Sequence, residues 1–121
     1  MLAFLGSIFF TFSSEVGQVM FTTTDPNGGN SCVVTSRVTS INRGEHVWLV
    51  AVFKEPIGHD QLTLEYRQNG VYKGAYNWPV EDTEGGSCTW SEDLAYYPPG
   101  TWKFTFLRNG QFEEEGSITI K

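Results

Sequence analysis

The sequence predicts an all-β chain, folded as a two-sheet β-sandwich with an apolar arm at its N-terminus. Three observations carry that reading. Aromatic residues make up 15% of the 121 positions, and flat or branched side chains pack best on pleated surfaces. Apolar residues recur with a period of two in segment after segment, and no stretch holds a helical period. Asn-Gly and Pro-Gly signals cut the chain into about seven to nine short runs, a number that suits two sheets packed on one core. With 40% hydrophobic residues and no internal repeat or linker, the chain reads as one core. The division is an arm over residues 1–14 and a sandwich domain over 15–121.

The elements follow in order. GQVMFTTT is a strand candidate, closed by DPNGGN, whose Pro and glycines supply turn geometry. SCVVTSRVTS alternates Cys32, Val34 and Val38 against Val33, Arg37 and Thr39, the pattern of a half-exposed strand. EHVWLVAVFK is almost wholly apolar from Val47 to Phe53, as a strand in the middle of a core is. QLTLEYR places Leu62, Leu64 and Tyr66 on one face, and Gln68-Asn69-Gly70 turns it into VYKGAYNW as a hairpin. EDTEGGS is a polar loop, CTWSEDLA a short strand or irregular crossing, and YYPPG a rigid connection. TWKFTFLR then sets Trp102, Phe104 and Phe106 on a common face. Arg108-Asn109-Gly110 turns the chain again, and QFEEEGSITIK returns with Phe112, Ile118 and Ile120 expected inward. Glu113, Glu114 and Glu115 read as a solvated stretch that discourages pairing at a sheet edge.

The ending PPGTWKFTFLRNGQFEEEGSITIK resembles the last hairpin of bacterial and archaeal extracellular immunoglobulin-like modules, which share features with fibronectin-III-like sandwiches. CVVTSRVTSINRGEHVWLVAVF is similar to their front half, so the resemblance spans roughly residues 16 to 121. It implies an immunoglobulin-like sandwich at the cell surface or outside the cell, acting as a spacer, adhesin or assembly unit. It implies no catalytic residue. The chain departs from antibody-type domains because Cys32 precedes the buried strand and Cys88 lies before the final hairpin.

The cysteines are the whole thiol inventory. Separated as they are, with no other metal-type ligands beside them, Cys32 and Cys88 read as a disulfide, which points to an oxidising compartment; two buried free thiols are the other reading. The net charge is −6 and the basic residues stand singly, so no cationic stripe is available for nucleic acid or an anionic membrane surface. Enzyme signatures are missing: there is no G-x-S-x-G elbow, P-loop, dinucleotide fingerprint or zinc spacing, and the two histidines, His46 and His59, suggest no assembly. No cofactor is expected. Asp25, Asn27, Asp82 and Glu84 lie in glycine-bearing loops of the kind calcium uses, but ordinary turns account for them.

Two stretches suggest interactions. Tyr72, Tyr76 and Trp78 would line one face of a regular strand, either as half of a core or as an exposed row for stacking on sugar rings, which makes a carbohydrate-binding module the alternative function. The opening MLAFLGSIFFTFSS is uncharged, lacks the basic start of a secretory signal, and is too short for a stable bilayer span. As a strand it gathers Leu2, Phe4, Ile8, Phe10 and Phe12 on one side, with Ser13-Ser14-Glu15 and Gly17 as a hinge. Such a face must be buried. It closes its own sandwich, or it leaves the domain to complete a neighbouring subunit as in donor-strand filaments or pili; a clipped membrane anchor is the third reading. The expected function is a non-enzymatic extracellular structural module, self-assembling through residues 2–12 into a homo-oligomer or filament.

Overall fold

The computed structural model describes residues 17–25, 34, 36–78, 88–90 and 93–121, with the side chains of 88–90 excepted. The arm, Asn27, Cys32, Asp82 and Glu84 therefore lie outside the described residues. Within them the chain is all-β, with no helix and two sheets. The strands are β1 (Gln18–Thr22), β2 (Ser40–Ile41), β3 (Trp48–Val52), β4 (Leu62–Gln68), β5 (Val71–Asn77), β6 (Cys88–Trp90), β7 (Gly100–Arg108) and β8 (Gln111–Ile120). One sheet runs β1-β3-β6 and the other β2-β8-β7-β4-β5.

β3 bears out the apolar run that suggested it. It is the centre of the three-stranded sheet and is buried on both faces, with Leu49, Val50 and Ala51 at most 1% exposed. Leu49 and Ala51 join Val19 and Phe21 of β1 in facing the larger sheet, whose contribution is Leu62, Leu64, Trp102, Phe104, Phe106, Ile118 and Ile120. Rings bridge the two sheets, Phe21 to Phe104 at 5.8 Å and Phe53 to Phe106 at 5.6 Å between centroids. Met20, Val50 and Val52 point the other way and bury Val34 among them, so the small sheet is apolar on its far side too. Of SCVVTSRVTS, the described residues form only a bridge at Arg37 to Thr22 and the first residue of β2, which pairs in parallel with Thr119 and Ile120 of β8.

Both Asn-Gly hairpins form. Asn69 and Gly70 have φ of 50° and 84°, Asn109 and Gly110 of 52° and 81°, the left-handed pair that a two-residue turn with the twist of its strands requires. Each hairpin also contains a bulge. In β4–β5 the register passes from Tyr66↔Gly74 to Arg67↔Tyr72, leaving Lys73 as an extra residue. In β7–β8 it passes from Phe106↔Glu114 to Leu107↔Phe112, leaving Glu113 extra. An extra residue reverses the parity of everything between it and the turn.

Three expectations are corrected, the first two by that reversal and the third by the unbroken alternation from Ile118 and Ile120 back to Glu114. Phe112 does not point inward but stands 63% exposed opposite Leu107. Tyr72 does not share a face with Tyr76; it stands opposite Arg67, whose guanidinium lies 5.4 Å from its ring centroid, while Tyr76 stands opposite the inward Leu64. Glu114 is not solvated: it takes an inward position opposite Phe106 and is 4% exposed.

Candidate functional site

The edge of the larger sheet beside β1 is the most distinctive surface. β2 covers only the last residues of β8, through Thr119 N–H donating to the Thr39 carbonyl at 3.0 Å and Lys121 N–H to that of Ile41 at 2.9 Å. Strand geometry points the N–H groups of Ser117 and Glu115 to the same edge, and no described strand pairs with them. Across from this edge runs β1, an edge strand among the described residues, joined to residues 36–38 near its end, where Val38 N–H donates to the Phe21 carbonyl at 2.9 Å, and at its start, where Arg37 Nη2 donates to Gln18 Oε1 at 2.8 Å. Between the two edges lies a groove of about 280 Å³, with Val19, Phe21, Arg37, Thr39, Glu115 and Ser117 among its walls.

The floor of the groove is closed by a close approach. A Cβ on Gly116 would lie 2.7 Å from the Val19 carbonyl oxygen, so β8 and β1 meet backbone to backbone there. Glu114, two residues before Gly116 on the same strand, is the electrostatic anomaly of the region. Among the described residues neither of its carboxylate oxygens has a hydrogen-bond partner. Burial, and secondarily the neighbouring Glu113 carboxylate, push its pKa up to about 7, against the opposing pull of Arg108 and Lys54. The groove therefore offers backbone pairing groups on a mixed polar and apolar lining, with an unsatisfied carboxyl beside it. Chemically, it can add a strand.

The remaining candidate residues are dispersed. Trp78 is half-buried, stacked on Phe106 with centroids 5.9 Å apart and met edge-on by Tyr76 at 4.8 Å, so it is part of the core boundary. Tyr72 and Tyr76, 53% and 51% exposed, lie on opposite faces. Cys88 opens β6 opposite Val52. Asp25 is exposed, and among the described residues no group of three or more His, Cys, Asp or Glu side chains could hold a metal ion.

One pairing escaped sequence reasoning. His46 Nδ1 meets Asp93 Oδ2, and Asp93 Oδ1 accepts the N–H groups of Val47 and Ala95, each at 3.0 Å. Burial would raise the Asp93 carboxyl, but these bonds outweigh it and hold it below the ordinary carboxylate range. The imidazole stacks on Trp48 at 6.1 Å. The pair clamps the loop before β7 onto the start of β3; with its members 47 positions apart, no local pattern could have signalled it.

No protein-family model matches the chain, and no curated protein matches it in sequence. Among the described residues no helix is long and apolar enough to cross a membrane.

Proposed function

We propose that the chain is a non-enzymatic, immunoglobulin-like structural module of the cell surface or extracellular space, and that it self-assembles by lending residues 2–12 as a strand to a neighbouring copy. The observation that carries this reading is the mismatch along β8: a strand of ten residues, Gln111–Ile120, flanked on its outer edge by a two-residue β2. An apolar strand whose Leu2, Phe4, Ile8, Phe10 and Phe12 share one face is the complementary element, and it stands immediately before β1 in the sequence. Backbone pairing supplies register, and burying each large side chain contributes about 1.5–3 kcal/mol. A Cys32–Cys88 disulfide belongs to the same proposal, as a staple suited to an oxidising compartment.

Deleting residues 1–12 is expected to give monomers by light scattering, and a synthetic peptide of that segment to bind and stabilise them. Phe10→Asp should block assembly, because it would bury an unpaired charge. Assembly that persists after the deletion, or a full-length protein that remains monomeric, would overturn the proposal. Peptide mapping without reduction reads the cysteine pairing, and free thiols at both positions in natively sourced protein would remove the argument from compartment.

A further inference from the structure

A second, independent feature lies on the outer face of the five-stranded sheet. The register there places Ser117, Lys103, Arg67 and Tyr72 side by side across β8, β7, β4 and β5. Lys103 and Arg67 stand directly opposite each other on neighbouring strands, an arrangement of like charges that costs stability unless anions answer it. Two carboxylates do so from the other side: Glu65 meets Arg67 Nη1 at 3.3 Å, and Glu115 lies 3.9 Å from Lys103 Nζ. On the remaining side the surface opens into a pocket of about 340 Å³, lined by Arg67, Asn69, Gly70, Thr101, Lys103 and Ser117. It has two cations, two hydroxyls and an amide in its wall and no carboxylate, on a chain whose net charge is −6.

We propose that this pocket binds an acidic saccharide, a pyranose unit bearing a carboxylate. The volume is at the lower end of ligand-sized clefts, about 300–1,000 Å³, which suits one sugar ring. Among the described residues the Arg67 guanidinium uses one donor, on Glu65, and keeps others for a carboxylate. Lys103 adds a point charge directly across from it. The Thr101 and Ser117 hydroxyls, both on exposed residues, suit sugar hydroxyls. Tyr72 stands outside the pocket, on the far side of Arg67, and its ring supports the guanidinium that lines it. The neutral alternative, a purely stacking site, would have no use for the opposed cations. This inference does not depend on assembly through the arm: the pocket lies on the opposite face of the sheet from the core.

The test is calorimetric titration of the full-length protein with trigalacturonate, and with the neutral galactose trimer of the same linkage. Expected is saturable binding of the acid at least tenfold tighter than of the neutral trimer, weakened by added salt. Lys103→Glu and Arg67→Gln should each lower the affinity for the acid at least tenfold. Because Lys103 is exposed, its variant should keep the parent melting temperature; Lys103→Gln serves if it does not. Equal affinity for the two trimers, no saturation, or affinity unchanged by both charge variants would overturn the proposal.

Discussion

Tyr72 and Phe112 occupy the same place in two different hairpins: each lies two residues beyond the glycine of an Asn-Gly turn, and each immediately precedes a bulge residue, Lys73 or Glu113. Both are turned to the outer face of the sheet, 53% and 63% exposed, although simple alternation would have sent them inward. The shared geometry implies a shared tolerance. Phe112→Ser should change stability by less than about 0.5 kcal/mol, whereas Phe106→Ala, with its ring fully buried, should cost about 3–5 kcal/mol in chemical denaturation. A large loss at Phe112 would mean that the bulge does not hold in solution.

Glu114 makes a prediction about pH. Its pKa is raised from the ordinary 4.5 to about 7 by burial and then by Glu113, so the folded state holds the proton more tightly than the unfolded one. The sign follows: stability is unaffected below the unfolded value, falls as pH rises between about 4.5 and 7, and stays reduced above, by about 3 kcal/mol at most. Glu114→Gln removes the titration and should flatten the stability profile between pH 5 and 8. A profile as steep as the parent's would show that other groups carry the slope.

The backbone contact at the groove floor gives a third expectation. Since the obstacle to a Cβ at position 116 is the Val19 carbonyl oxygen rather than a flexible side-chain tip, β1 itself would have to move. Gly116→Ala should destabilise by about 1–3 kcal/mol, and a larger side chain by more. Urea midpoints at constant slope would read this directly.

Arg108 ties the second hairpin to the loop after β3. Its Nη1 donates to the Pro56 carbonyl at 2.9 Å and to Asp60 at 3.0 Å, its Nη2 to the Glu55 carbonyl at 2.8 Å and to Glu113 at 3.2 Å, and its guanidinium lies 5.8 Å from the Phe53 centroid. Burial works against its charge, but Asp60 and Glu113 outweigh it and raise its pKa. Arg108→Ala should cost about 2–4 kcal/mol, since it strips four acceptors of one forked donor. Arg108→Lys should recover less than half, because an ammonium cannot reproduce the fork. Full recovery by lysine would assign the effect to charge alone.

The sequence by itself determined most of the elements, β2 excepted. Alternation located β1, β4, β7 and β8, the continuous apolar run located β3, and Asn69-Gly70 and Asn109-Gly110 located both hairpins, because strand period and turn stereochemistry are local properties of the chain. It also supplied the inward rows, Leu62 with Leu64 and Trp102 with Phe104 and Phe106. What only the tertiary structure decided was parity near the turns and proximity across the sheets. The bulges at Lys73 and Glu113 carry no residue signature, yet each reverses the side chains between it and its turn. That is why Phe112 and Tyr72 face outward, whereas Glu114, on the far side of its bulge, keeps the parity of Ile118 and Ile120 and faces the core. The row of Tyr72, Arg67, Lys103 and Ser117 was equally hidden, since its members come from four strands and are neighbours only through register. Among the described residues β2 pairs only with Thr119 and Ile120, which leaves the rest of that edge of β8 without a strand.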